Sequence, residues 1–86
     1  LNYSFYGNGW IEMLVVDPTI RRRGVGSALV RHLVNECKTV KLFTSTNRTN
    51  VPMQRLLATL GFARSGQIEN LDEGDPELVY FKRLNR

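Results

Sequence analysis

The chain has 86 residues, 42% of them apolar and 23% charged, with a formal net charge of +4. A chain of this length forms one small domain with a single core, burying about 60 to 65% of its unfolded surface, and its composition excludes the disordered and collagenous classes. The excess positive charge points to an anionic partner and is unevenly spread: Arg21, Arg22 and Arg23 are contiguous, whereas acidic residues gather in "IENLDEGDPE".

The run "LNYSFY" alternates and is rich in aromatics, "GNG" supplies residues that tolerate positive φ, and "WIEMLVV" is a second extended run, so a β-hairpin is predicted. Asp17 and Pro18 end its second strand, because proline cannot continue a ladder in a central strand. After Gly24 and Gly26, the residues Val25, Ala28, Leu29, His32, Leu33 and Glu36 fall at helical spacing and predict a helix over 25–37. "VKLFTST" reads as a short strand and the polar "NRTN" as a loop. Asn50 caps a second helix, Pro52 suits its first turn, Met53, Leu56, Leu57 and Leu60 form its apolar stripe, and Gly61 stops it. "FARSGQI" and "LVYFKRL" are two further strands, separated by a turn-rich acidic stretch over 69–77. The order is β-β-α-β-α-β-β, without repeat or linker, and it predicts an α/β sandwich with a mixed sheet spanning residues 1–86 as one domain.

No apolar stretch approaches the roughly 20 residues of a membrane span, and the first residues carry neither a basic leader nor a long apolar segment, so a cytoplasmic protein without a membrane partner is expected. Cys37 is the sole cysteine, which excludes an internal disulfide and a multi-cysteine zinc site, and no metal is expected.

"VVDPTIRRRGVGSALV" combines a strand end, a loop with two glycines and a helix start. Free backbone N–H groups and the helix dipole make such a junction an anion site. At Gly24 and Gly26 a Cβ would hold a phosphate away from those donors or strain the turn, and the arginines add donors suited to phosphate oxygens. GxxxxGK[ST] is absent and "GVGSAL" lacks the third glycine of the dinucleotide fingerprint, so the expected ligand is another phosphate compound. The arginine run is not interleaved with stacking aromatics and no predicted helix presents a basic face, which argues against nucleic acid as the partner.

Arg21, Gly24 and Gly26, followed by Ser27 and Ala28 after a strand ending "LVVDP", resemble the acyl-CoA signature of the GNAT superfamily of N-acetyltransferases. "NVPMQRLLATLGF" is similar to the family's later motif, in which an Asn opens a helix that ends in "GF", and "LVYFKRL" looks like its last strand. The resemblance implies a GNAT-like fold with a mostly antiparallel mixed sheet and two helices, lacking the N-terminal strand, two helices and further strand of the complete fold. It implies acetyl-CoA as the anion, with its pyrophosphate on the backbone N–H groups of Arg22, Arg23, Gly24, Val25, Gly26 and Ser27. It also implies that the backbone of Leu14, Val15 and Val16 pairs with the pantetheine arm as an added strand would. Asn50 is then either a cap alone or also a donor to the cofactor arm.

Acetyl transfer to an amine needs a base for the amine, a donor for the carbonyl oxygen and a proton for the leaving thiol. Glu12 is the candidate base: alternation places it on the face of Trp10, Leu14 and Val16, where desolvation would hold its proton affinity in a general base's range. A half-exposed strand carboxylate, or one paired with an arginine, is the other reading. The resemblance assigns the oxyanion donor to the N–H of Val15. It also places Leu57 where many relatives carry a tyrosine near the CoA sulfur, and Leu57 reads as a core residue. Tyr80 is read as packing or as a substitute acid, His32 as a packed or boundary histidine, Cys37 as structural, and the acidic stretch as solvated or as an attractor of cationic amines. The expected activity is acetyl-CoA-dependent N-acetylation of a primary amine, with a non-catalytic acyl-CoA-binding module as the alternative. A sheet edge and an apolar face left uncovered by the absent N-terminal portion predict a homodimer.

Overall fold

The computed structural model describes residues 1–12 and 25–85. The hairpin forms from β1 (Asn2–Phe5) and β2 (Asn8–Ile11), antiparallel with Asn2 opposite Trp10 and Phe5 opposite Asn8. Its turn residues are Tyr6 and Gly7, both at positive φ (53° and 77°), the sense that suits the twist of two-residue hairpins. The turn therefore lies earlier than "GNG" predicts, and Asn8 and Gly9 belong to the strand. Gly9 is buried, and a Cβ there would lie 2.6 Å from the Cys37 Sγ, so close approach rather than backbone freedom requires glycine. β2 ends at Ile11, Glu12 follows it, and the rest of the predicted second strand, 13–16, lies outside the described residues.

The first helix, α1 (Val25–Glu36), ends one residue earlier than predicted, and the N–H of Cys37 donates to the Val34 carbonyl. Its buried face also differs from the expected one. Gly26, Val30 and Cys37 are buried and Leu33 half-buried, at spacings of four, three and four, whereas Ala28, Leu29, His32 and Glu36 are exposed. The true stripe begins at a glycine and ends at a cysteine, two weakly apolar residues that let the helix sit close to the sheet, and a count of large aliphatics passes over them.

The strand β3 (Lys41–Asn47) follows, parallel to β2, with Gly9 opposite Leu42, Trp10 opposite Phe43 and Ile11 opposite Thr44. The second helix, α2 (Val51–Thr59), is capped by Asn50, whose side-chain oxygen accepts the N–H of Met53 at 3.3 Å. It ends as predicted at Gly61 (φ +89°): Gly61 donates to the Ala58 carbonyl and Phe62 to the Leu57 carbonyl, the two bonds of a Schellman stop. Leu57 and Phe62 are both buried in the core. Lys82 Nζ donates to the Leu60 carbonyl at 2.9 Å, placing a cation at the negative helix end.

The last strands are β4 (Ala63–Ile68) and β5 (Glu77–Arg83), antiparallel to each other, with a bulge between Arg64 and Gly66. β5 also pairs antiparallel with β3, from Lys41 opposite Arg83 to Asn47 opposite Glu77. The sheet order is β1-β2-β3-β5-β4, with β2 and β3 as the parallel pair, so it is mixed and mostly antiparallel. Strand alternation sends Ile11, Leu42, Leu78 and Tyr80 to one face, where Val30 of α1 and Leu57 of α2 complete a single buried core. The opposite face carries half-buried Trp10, Phe43 and Phe81, and Phe5 of β1 meets both Trp10 (ring centroids 4.7 Å) and Phe43 (5.0 Å).

The acidic loop is tied down rather than loose. Asp75 accepts the Thr49 hydroxyl at 2.7 Å and the Thr49 N–H at 3.1 Å, and Asp72 accepts the Asn47 amide at 2.8 Å. Glu77, counted with that loop in sequence, is instead the first residue of β5.

Candidate functional site

β2 and β3 run parallel, so their C-terminal ends lie at the same edge of the sheet, and β5, antiparallel to β3, begins there with Glu77 opposite Asn47. Each parallel strand leads onward to a helix whose N-terminus returns to that edge. The end of β2, the starts of α1 and α2 and the first residue of β5 therefore share one end of the molecule. Open α/β sheets bind ligands at this end, outside the carboxyl ends of parallel strands.

On the helix-free face, Glu12 follows directly after β2. It is exposed, so the burial expected of it is absent: Trp10 is half-buried on the same face, but no described element closes over the carboxylate. The Asn2 amide donates to Glu12 Oε1 at 2.7 Å, which orients the carboxylate from the neighbouring strand of the hairpin. The pairing of Asn2 with Trp10 puts the amide within reach. Among the described residues no arginine pairs with Glu12, and Asn2 takes the place the sequence reading gave to such a partner.

A cavity of about 360 Å³ opens beside it, lined by Glu12, Asn2, Ser4, Phe5 and Trp10 from the hairpin, together with Ser45 and Glu77. Ser45, on the Phe43 side of β3, donates its hydroxyl to Glu77 Oε2 at 2.6 Å. Two carboxylates from different strands therefore open into one space floored by aromatic rings. Ser45 escaped the sequence reading, and Glu77 entered it only as part of the acidic stretch over 69–77, read as solvated or as an attractor of cationic amines, although the parity of "ELVYFKR" places Glu77 on the face of Val79 and Phe81. The pairing that brings it opposite β3 is not written in either strand alone.

On the helix face, Gly26 is buried and Ser27 half-buried in the first turn of α1, and neither helix has an acidic residue in its first turn. Val25 is the first residue of α1. The expected contacts of Leu14, Val15, Val16, Arg21, Arg22, Arg23 and Gly24 lie outside the described residues. Asn50 is the cap it was read as, half-buried at the start of α2. Leu57 is 1% exposed and Tyr80 5% exposed, both in the core, and Arg64 lies over the Tyr80 ring at 5.9 Å. Tyr80 belongs to the helix-side row with Leu78, away from the Glu12 cavity. His32, expected in the buried stripe, is exposed, and Cys37 is a buried thiol whose Sγ lies 3.3 Å from the Thr39 hydroxyl. Among the described residues no helix is long and apolar enough to cross a membrane.

The profile of the Acetyltransferase (GNAT) family matches residues 1–62. A GNAT-family acetyltransferase structure from Bacillus cereus ATCC 10987 superposes with a TM-score of 0.90 at 40% identity, covering 99% of this chain and 60% of that one. An acetyltransferase structure from Salmonella typhimurium with its cofactor acetyl-CoA gives 0.74 at 20% identity, covering 90% and 49%. The NatC complex bound to Gag peptide and CoA gives 0.76 at 23% identity, covering 88% and 50%. No curated protein matches the chain. The chain thus spans about 60% of the length of the Bacillus cereus protein. The fold agrees with that protein over nearly every residue, and the family's profile covers the hairpin, both helices and the strand between them: this chain belongs to the GNAT acetyltransferase family.

Proposed function

We propose that the protein is an N-acetyltransferase that moves an acetyl group from acetyl-CoA to a primary amine by direct transfer. The observation that carries this reading is the placement of the Glu12 carboxylate beside an open cavity at the sheet end that also holds the N-termini of α1 and α2. The residues present suit the cofactor. Gly26 adds no side chain at the first turn of α1, Ser27 adds a hydroxyl, and no carboxylate in either first turn repels a phosphate. Arg21, Arg22, Arg23, Gly24 and Val25 complete that phosphate site in this reading, and the backbone of Leu14, Val15 and Val16 holds the pantetheine arm. Asn50 commits its side-chain oxygen to the cap, and in this reading its NH₂ group donates to the arm.

Bound acetyl-CoA supplies the acetyl group: the amine nitrogen bonds to the thioester carbon, and the C–S bond breaks with its electron pair retained by sulfur. Glu12 takes the proton the amine loses, directly or through water, with Asn2 holding the carboxylate in place. The N–H of Val15 steadies the carbonyl oxygen as charge develops. Leu57 has no proton to give, so water protonates the sulfur, which a thiol with an ordinary pKa of about 8.5 permits. We place the protein in the cytoplasm, as one domain assembled into a homodimer.

The core burial of Leu57 favours a second reading, an acyl-CoA-binding module without turnover. Calorimetric titration of acetyl-CoA, followed by an assay of CoA release with a panel of amines, separates the two. For the enzyme, wild type binds and turns over; Gly26→Asp, with its fold checked by circular dichroism, loses binding; and Glu12→Gln keeps binding while turnover falls by roughly 10²-fold or more. Binding without release for every amine selects the module, and absence of binding by folded wild type refutes both.

A further inference from the structure

The cavity beside Glu12 holds more negative charge than one simple amine needs. Glu12 and Glu77 both line it, and among the described residues no basic side chain pairs with either. Described hydrogen bonds engage one oxygen of each carboxylate, Oε1 of Glu12 with Asn2 and Oε2 of Glu77 with Ser45. The two groups reach the cavity from strands on either side of β3. The bond to Ser45 draws the Glu77 carboxylate back over β3, a strand spacing of about 5 Å from β2. The rings of Phe5 and Trp10, with centroids 4.7 Å apart, line the same cavity from the hairpin side, and such ring faces attract cations and shed water from methylene groups.

A monocationic amine placed at Glu12 leaves Glu77 uncompensated, and two carboxylates this near repel each other. A ligand with two positive charges joined by a short apolar chain neutralises both and lays its methylenes on the aromatic floor. Resting on the N-acetyltransferase reading, we propose that the acceptor is an alkyl diamine or polyamine, with Glu12 facing the nitrogen that is acetylated and Glu77 binding the ammonium that is not. Glu77 is then the specificity-determining residue, and the reacting nitrogen alone gives up a proton.

The test compares 1,4-diaminobutane with 1-aminobutane, which differ by the second ammonium, using the intact protein with acetyl-CoA. The expected result is a kcat/KM at least tenfold higher for the diamine, carried by KM, and a diamine-to-monoamine ratio that falls toward one in Glu77→Gln and is partly retained in Glu77→Asp. Calorimetric titration of 1,4-diaminobutane into the protein should show the same order of affinities without requiring turnover. Equal use of both amines by wild type overturns the proposal and leaves the acetyltransferase reading standing. So does a Glu77→Gln variant in which both amines decline together, since that marks Glu77 as structural. Diamine binding that is lost in Glu77→Gln, in a protein that releases no CoA with any amine, upholds the site and refutes the enzyme. Absence of both diamine binding and turnover refutes both.

Discussion

At the scale of single residues, the informative positions are those where the side chain is constrained by a neighbour from a distant part of the chain. Leu57 is one of them. Relatives that carry a tyrosine there would place a hydroxyl near the sulfur, but here the position is 1% exposed and belongs to the core. Leu57→Tyr should therefore destabilise the fold by about 1 to 3 kcal/mol, the usual cost of overpacking, and should not raise the rate. Urea denaturation and the CoA-release assay read the two halves of this prediction, and a faster enzyme of unchanged stability would contradict it. Gly9 is constrained from the opposite direction. A methyl there would lie 2.6 Å from the Cys37 Sγ and 3.2 Å from both Leu42 Cδ1 and Thr39 Oγ1. Glu12 was legible in sequence as a carboxylate in an apolar row, but the choice between burial and exposure was left open there, because what covers a strand face depends on elements elsewhere in the chain; the structure leaves it exposed.

At the scale of elements, α2 shows why one helix was legible in full and the other only in part. Its signals are local: Asn50 caps the Met53 N–H, Pro52 sits in the first turn, and Gly61 at φ +89° closes it. Asn50→Ala should cost about 1 kcal/mol through the lost cap. Gly61→Ala should cost at least as much, because alanine is strained at positive φ and its methyl would meet Lys82 Nζ at 2.6 Å, displacing the cation from the Leu60 carbonyl. Equilibrium urea unfolding measures both, and a Gly61→Ala protein as stable as wild type would show that the terminal turn relaxes freely. In α1 the helical period was legible and the face was not. Its buried stripe of Gly26, Val30, Leu33 and Cys37 is chosen by how closely the helix approaches Gly9 and Leu42, a condition imposed by the sheet.

At the scale of the whole molecule, β4 ends the sheet with all six of its residues exposed, while the helix-free face carries the aromatic row of Phe5, Trp10, Phe43 and Phe81. An edge of this kind invites pairing with another chain, although Arg64 and the bulge before Gly66 resist a regular added strand. The expectation is a homodimer in solution. Light scattering should return twice the chain mass, and a sharp monomer mass at high protein concentration would refute it.

The sequence by itself determined the kind and order of the elements, the mixed α/β class, the capped and stopped second helix and the acyl-CoA signature. Each of these rests on interactions among residues close along the chain: strand alternation, helix period, a cap three residues from its partner, a glycine at a forced positive φ. Only the tertiary structure decided that the hairpin turns at Tyr6 and Gly7, which face of α1 is buried, and that Glu77 belongs to the Glu12 cavity rather than to the acidic loop. Those outcomes depend on pairing across β3 and on packing between segments tens of residues apart. No local pattern specifies them, because the same alternation is satisfied by several registers until the strands meet.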